Sequence, residues 1–279
     1  MGWQRRAQPE GTAVSDPVFV SSRDKPRLGK LRKLVRDPAA YRKLDAVWLE
    51  GEHLCTALRQ HGRHPEQAVL TESAWALPQL RALARWAPRQ VVVVDALFEG
   101  LSTLESPARQ GFVLRLPAAQ AIDPGAASVV LDRVQDAGNV GSILRSAAAF
   151  GVSQVLALKG TAALWSPKVL RAGMGAHFGL RLVEGLAPDD LAQLTVPMLG
   201  TSLATAQWLH HAALPQPCAW VLGHEGQGVA PDLLARCAQV LRIPQPGGEE
   251  SLKVAAAAAV CLYESMQRSC GTALAPDAA

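Results

Sequence analysis

The strongest constraint on the fold is a set of short segments in the second half of the chain that are apolar throughout. Helical stretches separate these segments along the sequence. A strand that is apolar throughout is buried on both faces, and such strands alternating with helices are typical of a mostly parallel sheet covered by helices, the α/β architecture. Five strands of this kind are predicted, at 128–131, 154–158, 197–199, 219–222 and 240–243.

The first half of the chain predicts a second, smaller α/β unit. Its clearest elements are a strand at Ala46–Glu50, a glycine, and a helix at Glu52–Gln60. A stretch rich in Pro, Ala and Gly near residue 120 is a candidate linker. The expected organisation is a flexible lead-in at 1–20, a first domain at 21–118, a linker at 119–127, a second domain at 128–270 and a loose tail at 271–279.

Composition excludes several classes of protein. With 279 residues, 49% of them hydrophobic and 19% charged, and a mean hydropathy of +0.08, the chain suits two globular domains rather than a disordered or membrane protein. Neither a bilayer-spanning run nor the apolar core of a signal peptide is present, so a cytoplasmic protein with no membrane partner is expected. Five scattered cysteines without a CxxC pair predict neither a disulfide framework nor a metal site.

Positive charge is concentrated near the N-terminus. Residues 21–43 contain nine basic and two acidic side chains, a net +7, whereas the whole chain carries only +4. Such a segment attracts a polyanion, of which nucleic acid is the obvious one, although a solvated helix face has the same composition. The candidate contact residues in this segment are Arg23, Lys30, Arg32, Lys33 and Arg36.

Three loops that follow predicted strands carry the chemically informative residues. After the strand at 128–131, Asn139 is expected to cap a helix that ends at Gly151, with Arg145 further along that helix. A guanidinium near the free amides of a helix start suits a phosphate. The alternative is a plain cap and a surface charge.

The second loop, at 223–229, holds three glycines and Glu225 directly after a strand. Glycines let the backbone approach a ligand closely, although a tight turn with a solvated glutamate explains the same residues. The spacing is not the GxGxxG dinucleotide fingerprint, which argues against a nicotinamide oxidoreductase. In the third loop, at 243–253, Ser251 is expected to cap a helix of small residues.

In this order and spacing, the three loops resemble the three signature motifs of the SpoU family, also called the TrmH family, of the SPOUT methyltransferases. The resemblance covers about 127–268, and 21–118 is more weakly similar to the family's RNA substrate-binding domain. It implies a deep trefoil knot in the parallel-sheet domain, a bound S-adenosylmethionine, a homodimer, and methylation of a ribose 2′-hydroxyl in ribosomal or transfer RNA.

The resemblance also assigns roles to individual positions. The implied catalytic residues are Asn139, Arg145, Glu225 and Ser251, and Arg145 is also expected to contact RNA. The implied cofactor-binding residues are Thr201, Leu222, Gly223, Gly228, Ile243, Pro244 and Leu252.

One position departs from the family pattern, because Lys253 stands where an asparagine is usual. The longer, charged side chain leaves two hypotheses open: an active methyltransferase, or an RNA-binding protein of the same fold with impaired catalysis. In the first, Arg145 acts as an electrostatic clamp, because a guanidinium hardly ever deprotonates. The hydroxyl proton then goes to Glu225, to water or to a substrate phosphate.

Overall fold

The computed structural model describes residues 16–21, 26–102, 106–247 and 251–270. It divides into two compact units between Leu116 and Pro117. The expected linker at 119–127 therefore lies within the second unit. Arg23 and the tail at 271–279 lie outside the described residues.

The first unit contains a five-stranded mixed sheet in the order β1-β4-β3-β5-β2. Strands β1, β4 and β3 are parallel, and β5 runs antiparallel to both β3 and β2. The elements are β1 (Val18–Val20), α1 (Pro26–Arg36), α2 (Ala40–Leu44), β2 (Ala46–Glu50), α3 (Glu52–Gln60), β3 (Gln67–Thr71), α4 (Glu72–Ala76), α5 (Pro78–Ala84), β4 (Gln90–Val93), α6 (Asp95–Glu99) and β5 (Gln110–Arg115).

Two strands of this unit differ from the sequence expectation. Strand β1 lies inside the span expected to be a flexible lead-in, so residues 1–20 are not wholly outside the fold. Its three residues are too few to establish an alternating pattern. Strand β5 was not predicted, and its glycine at position 111 is required because a Cβ there would come within 2.3 Å of the Trp48 ring.

Helix α1 separates apolar and basic side chains onto different faces. Leu28, Leu31, Leu34 and Val35 are buried in the core of the unit. The helix ends at Arg36, before the Asp37-Pro38 pair, because proline cannot continue it. Lys30, Lys33 and Arg36 are exposed on the opposite face of the helix.

The second unit contains a six-stranded sheet in the order β11-β9-β10-β6-β7-β8, and every recorded strand pair is parallel. This confirms the predicted α/β architecture. Its elements are β6 (Ser128–Leu131), α7 (Ala137–Ala149), β7 (Gln154–Leu158), α8 (Pro167–Gly173), β8 (Arg181–Leu186), β9 (Met198–Thr201), β10 (Ala219–Leu222), α9 (Pro231–Leu234), β11 (Gln239–Leu241) and α10 (Val254–Cys270).

The extent to which a strand is buried in the sheet explains whether its sequence predicts it. Strands β6, β7 and β10 are buried along their whole length and are predicted with correct bounds. Strand β8, at the sheet edge, is buried at only two of six positions, so it lacks the continuous apolar signal and was missed. Strands β9 and β11 are shifted by one or two residues from their predicted positions.

Helix α7 packs against both α8 and α10. Gly141 makes the approach to α8 close, since a Cβ at this position would lie 2.3 Å from the Ala172 Cβ.

Within the described stretches, no helix combines the length and apolar character needed to cross a bilayer.

Candidate active site at the carboxyl ends of the strands

A cavity of about 460 Å³ lies at the carboxyl ends of β9, β10 and β11. In parallel α/β sheets this edge is where ligands bind, because the loops that follow the strands converge there. Most of the lining residues come from four segments, with Leu234 of α9 in addition: Thr201–Ala204, Leu222–Val229, the stretch Leu241 to Gln245, and the segment Ser251 to Ala257 at the start of α10.

The cavity brings together most of the residues implied to bind the cofactor. Thr201, Leu222, Gly223, Gly228, Ile243 and Leu252 all line it. Pro244 is exposed and, within the described chain, is not part of the cavity wall. The wall also contains residues that the motifs do not single out, including Ser202, Leu203, Leu241 and Gln245.

Gly223 is fixed by its own loop. A Cβ on Gly223 would lie 2.1 Å from the carbonyl carbon of Gly228. The loop closes on itself because the His224 and Gly228 backbones exchange two hydrogen bonds, of 3.0 and 2.8 Å. The sequence predicts that these glycines allow the backbone to approach a ligand. At Gly223, the group that comes close is the backbone of Gly228 in the same loop.

Glu225 joins the loop after β10 to the loop after β6. One carboxylate oxygen accepts from the Asp136 backbone N–H at 3.0 Å and from the Asn139 side-chain amide at 3.1 Å. The other accepts from the Gln135 backbone N–H at 3.2 Å. Burial raises the pKa of Glu225, but these hydrogen bonds outweigh it and lower the pKa to about 2. Glu225 is therefore a fixed anion rather than an effective proton acceptor.

Asn139 is not the cap of α7. Asp136 is the N-cap, and its carboxylate accepts from the Asn139 backbone N–H at 2.7 Å. Asn139 lies in the first turn, so its side chain is free to reach Glu225. The helix ends at Ala149, and Gly151 follows with a φ of +78°, in agreement with the predicted stop.

Arg145 is exposed on α7, about 9 Å further along the helix axis than Asn139. Among the described residues its side chain makes no hydrogen bond or ion pair, and it does not line the cavity. Within one chain, Arg145 is therefore not bonded to Glu225.

Ser251 lines the cavity but does not cap α10, which begins three residues later at Val254. The backbone carbonyl of Lys253 accepts from Ala256 and Ala257 in the first turn of that helix. Lys253 itself is exposed.

An ion pair that the motifs did not reveal ties the same two loops together a second time. Asp132, 3% exposed, accepts two hydrogen bonds from the Arg133 guanidinium, at 2.9 and 3.0 Å, and one from the Ala230 backbone N–H at 2.8 Å. Arg133 also donates to Gln227 at 3.0 Å. Its backbone is left-handed, with a φ of +58°, which no sequence pattern predicts for an arginine.

The remaining polar candidates do not form a metal site. Across the described residues, no group of three or more His, Cys, Asp or Glu side chains is arranged to hold a metal ion. His53, His210 and His211 are exposed. The thiols of Cys55, Cys218, Cys237 and Cys261 are free.

Comparisons with known proteins point to one family. A family model described as the SpoU rRNA Methylase family matches residues 126–263. The 23S rRNA (guanosine(2553)-2′-O)-methyltransferase RlmP of Bacillus subtilis is 31% identical over 225 residues, 79% of this chain and 88% of the relative.

Solved structures give the same result. A TrmH-family protein from Porphyromonas gingivalis matches with a TM-score of 0.75 and 31% identity, covering 86% of this chain and 97% of that one. The crystal structure of an RNA 2′-O ribose methyltransferase matches with a TM-score of 0.77 and 27% identity, covering 90% and 99%. The chain thus belongs to the SpoU rRNA methylase family.

Proposed function

We propose that this protein is an enzyme that transfers a methyl group from S-adenosylmethionine to the 2′-hydroxyl of a ribose in ribosomal or transfer RNA. The observation that carries the proposal is the junction at Glu225, where two loops meet beside the cavity. Membership of the SpoU family supports it, as does the similarity to RlmP, which is named for 2′-O-methylation of 23S rRNA.

The cavity fits S-adenosylmethionine in size and in chemistry. A volume of about 460 Å³ lies in the usual range for small-ligand pockets. Leu222, Leu241 and Ile243 offer apolar walls for a purine ring. Gln245 lines the same cavity, and its side-chain oxygen is buried without a hydrogen-bond partner in the described chain, so it is available to an N–H or O–H of the cofactor.

When bound, S-adenosylmethionine supplies a methyl group on a sulfonium centre, which is already strongly electrophilic. The protein therefore has mainly to hold the ribose hydroxyl in line and to stabilise developing negative charge. Glu225 fixes Asn139 by accepting one of its amide protons. The Asn139 side chain is not itself on the cavity wall but is held beside it by Glu225, and its oxygen remains to accept from the ribose, which Ser251 on the wall orients.

The hydroxyl proton does not go to Glu225 in this mechanism. Glu225 already accepts three hydrogen bonds that hold the two loops together, and protonating it would weaken them, so the proton leaves through a water molecule or a substrate phosphate. Arg145, which stays protonated, stabilises the alkoxide or the adjacent phosphate.

We place Arg145 in the site of a second copy of the chain. Two observations support a homodimer: Arg145 is not among the described residues that line the cavity of its own chain, and Val260 and Tyr263 leave apolar surface exposed on α10, at 41% and 49%. Mixing Arg145→Ala with Glu225→Ala tests this arrangement. If each site uses Arg145 of one protomer and Glu225 of the other, random heterodimers recover about a quarter of wild-type activity. No recovery in a mixture that forms dimers contradicts the shared site.

The trefoil knot implied by the resemblance is also part of the proposal. Strand β9 lies between β10 and β11, so the chain passes out of sequence order in the segment that forms the cavity. An experimental structure that traces 197–270 without interruption tests the threading.

The first unit is proposed to bind the substrate RNA. Lys30 and Lys33 are exposed on the outer face of α1, whereas Arg36 also donates to the Gly100 carbonyl at 3.4 Å. Arg32 is half-buried. Lysines and arginines held on one helix face suit phosphate contacts, which supply most of the affinity for RNA.

The free buried thiols support a reducing compartment, the cytoplasm, as the working location.

A methyl-transfer assay tests the function. Purified protein is incubated with tritiated S-adenosylmethionine and total RNA from cells that lack the gene, and 2′-O-methyl positions are then mapped. Incorporation at one nucleotide, absent with Asn139→Ala, is expected. If the protein binds RNA but transfers no methyl group, the alternative hypothesis, an RNA-binding protein with impaired catalysis, is favoured. Lys253, in place of the usual asparagine, is the reason for that hypothesis.

A further inference from the structure

A cluster of aromatic rings and one guanidinium lies beside the cavity and is not used by the mechanism above. Arg242 directly follows β11, and Trp208 pairs with it as a parallel β-bridge at the outer edge of the sheet. Leu241 and Ile243, on either side of Arg242, both line the cavity. The cluster therefore sits at the same carboxyl rim of the sheet as the cavity.

The members of the cluster are Trp208, His210, His211 and Arg242, here called the Trp208 cluster. The Arg242 guanidinium lies 5.1 Å from the centre of the Trp208 ring. The Trp208 and His210 rings are 6.3 Å apart, and those of His210 and His211 are 3.9 Å apart. Trp208 is half-buried, while both imidazoles are exposed. The two imidazole rings thus reach solvent, next to the half-buried Trp208 ring.

The turn that presents these rings is held by a clamp from α10. The Arg268 guanidinium donates to the backbone carbonyls of Leu209, at 3.1 Å, and Ala212. Glu264 fixes Arg268 in turn, at 2.6 Å. The turn is also bonded to the strand end, through Leu209 N–H to the Arg242 carbonyl at 2.9 Å. Because the backbone that carries the rings is held in place before any ligand arrives, binding to them loses less conformational entropy.

The chemistry of the cluster suits a nucleobase. Unpaired bases are bound by stacking on aromatic rings and on arginine planes, and any base presents a suitable face. The Arg242 Nε is buried without a partner among the described residues, so the guanidinium is held by stacking rather than by an acidic group. A purely structural turn would not need two exposed imidazoles whose ring centres lie 3.9 Å apart.

We propose that the Trp208 cluster stacks an unpaired base of the substrate RNA next to the nucleotide being methylated. The inference rests on the proposed function and extends it: the enzyme requires a flanking nucleotide that is not base-paired. The first unit supplies phosphate contacts, whereas the cluster supplies a contact that depends on a base being present.

Two probes separate base stacking from phosphate attraction: a fluorescent oligoadenylate of about 12 nucleotides, a length within the range that one single-strand binding groove spans, and an abasic oligomer of equal length. Wild-type protein is expected to prefer oligoadenylate by about tenfold. His210→Ala/His211→Ala is expected to lose most of this preference. His210→Phe/His211→Phe, which keeps the aromatic faces, is the matched control and is expected to retain it.

The outcomes distinguish this proposal from the methyl-transfer function. If wild-type protein methylates RNA but binds both probes equally, the stacking site is wrong and the function stands. The same holds if the alanine double variant keeps the wild-type preference while its S-adenosylmethionine affinity shows an intact fold. If no methyl transfer occurs with any RNA, the proposed function itself fails, whatever the probes show.

Discussion

Both units of the protein place a hydrogen-bonded carboxylate at the carboxyl end of a parallel strand, and in the second unit that carboxylate lines the cavity. In the first unit, Asp95 follows β4 and accepts from the backbone and the hydroxyl of Ser73, which lower its pKa. In the second, Glu225 follows β10 and accepts from a segment 86 to 90 residues away in sequence. A shifted pKa alone therefore does not identify an active site; the convergence of distant loops on a cavity does.

The largest expected effect is at Gly223, where the loop admits no side chain. Gly223→Ala forces a Cβ against the backbone of Gly228, so the cavity wall cannot keep its shape. We expect S-adenosylmethionine affinity, measured by calorimetry, to fall by more than about 100-fold. Gly226→Ala is the matched control, because its Cβ would meet only the His224 ring at 3.8 Å. Equal losses in both variants would contradict the assignment.

Replacing the two carboxylates tests the comparison directly. Glu225→Gln removes the charge that holds Asn139 and the 135–136 backbone, so kcat is expected to fall about 100-fold while S-adenosylmethionine affinity changes little. Asp95→Asn changes the same chemical group in the first unit and is expected to leave kcat within about twofold. Single-turnover methyl transfer to the mapped RNA measures both. A comparable loss in Asp95→Asn would remove the distinction between the units.

The basic face of α1 is expected to affect RNA binding alone. Lys30→Gln/Lys33→Gln should weaken RNA binding about tenfold and reduce the salt dependence of log K by roughly 1.5 to 2, since two phosphate contacts are lost. S-adenosylmethionine binding should be unchanged. Arg59→Gln/Arg85→Gln makes the same charge change on exposed residues of the first unit outside 21–43. Equal weakening by both pairs would indicate a diffuse charge effect instead of a binding face.

Replacing Lys253 tests whether this lysine reduces the activity of the second unit. Restoring the asparagine usual in the family, with Lys253→Asn, removes an exposed charge at the entrance to α10. An increase in kcat of about threefold is expected if the lysine perturbs the site, with the structure otherwise intact. A large decrease in kcat, or in RNA affinity, would show that the lysine has taken on a role of its own.

The smallest effect is on stability at acid pH. The folded-state pKa of Glu225 is about 2, below the value of about 4.3 in an unfolded chain, so its contribution is complete above pH 4.3 and is lost as the pH falls towards 2. The difference in thermal midpoint between wild type and Glu225→Gln should shrink over that range. Asp95→Asn should behave in the same direction, because the pKa of Asp95 is also lowered. A difference that grows on acidification would contradict both assignments.

The sequence predicts elements well where a continuous apolar run meets a clear stop. Strand β2 and helix α3 have their predicted bounds, because Gly51 between them takes a φ of +98° that ends the strand. It fails where two residues compete for one role. Asp136 and Asn139 are both good cap residues three positions apart, and the residue that caps α7 is the earlier one, a carboxylate.

The sequence predicts which residues form the candidate site better than it predicts how those residues are arranged. Most implied cofactor residues share one cavity wall, because motifs at strand ends converge in a parallel sheet. Among the described residues, the Arg145 side chain makes no hydrogen bond or ion pair with Glu225. Arg133 and Gln245 were missed, since a left-handed arginine and an unpartnered amide oxygen depend on tertiary contacts that no local pattern records.

The double tie between the loops after β6 and β10 limits how this enzyme can change its target. The Asp132–Arg133 pair anchors one end of the junction and Glu225 the other, so a substitution that reshapes either loop must be matched in its partner. Compensated pairs of mutations arise less often than single ones. We therefore expect new RNA specificities among relatives to originate in the first unit and on the surface around Trp208, while the tied loops stay as they are.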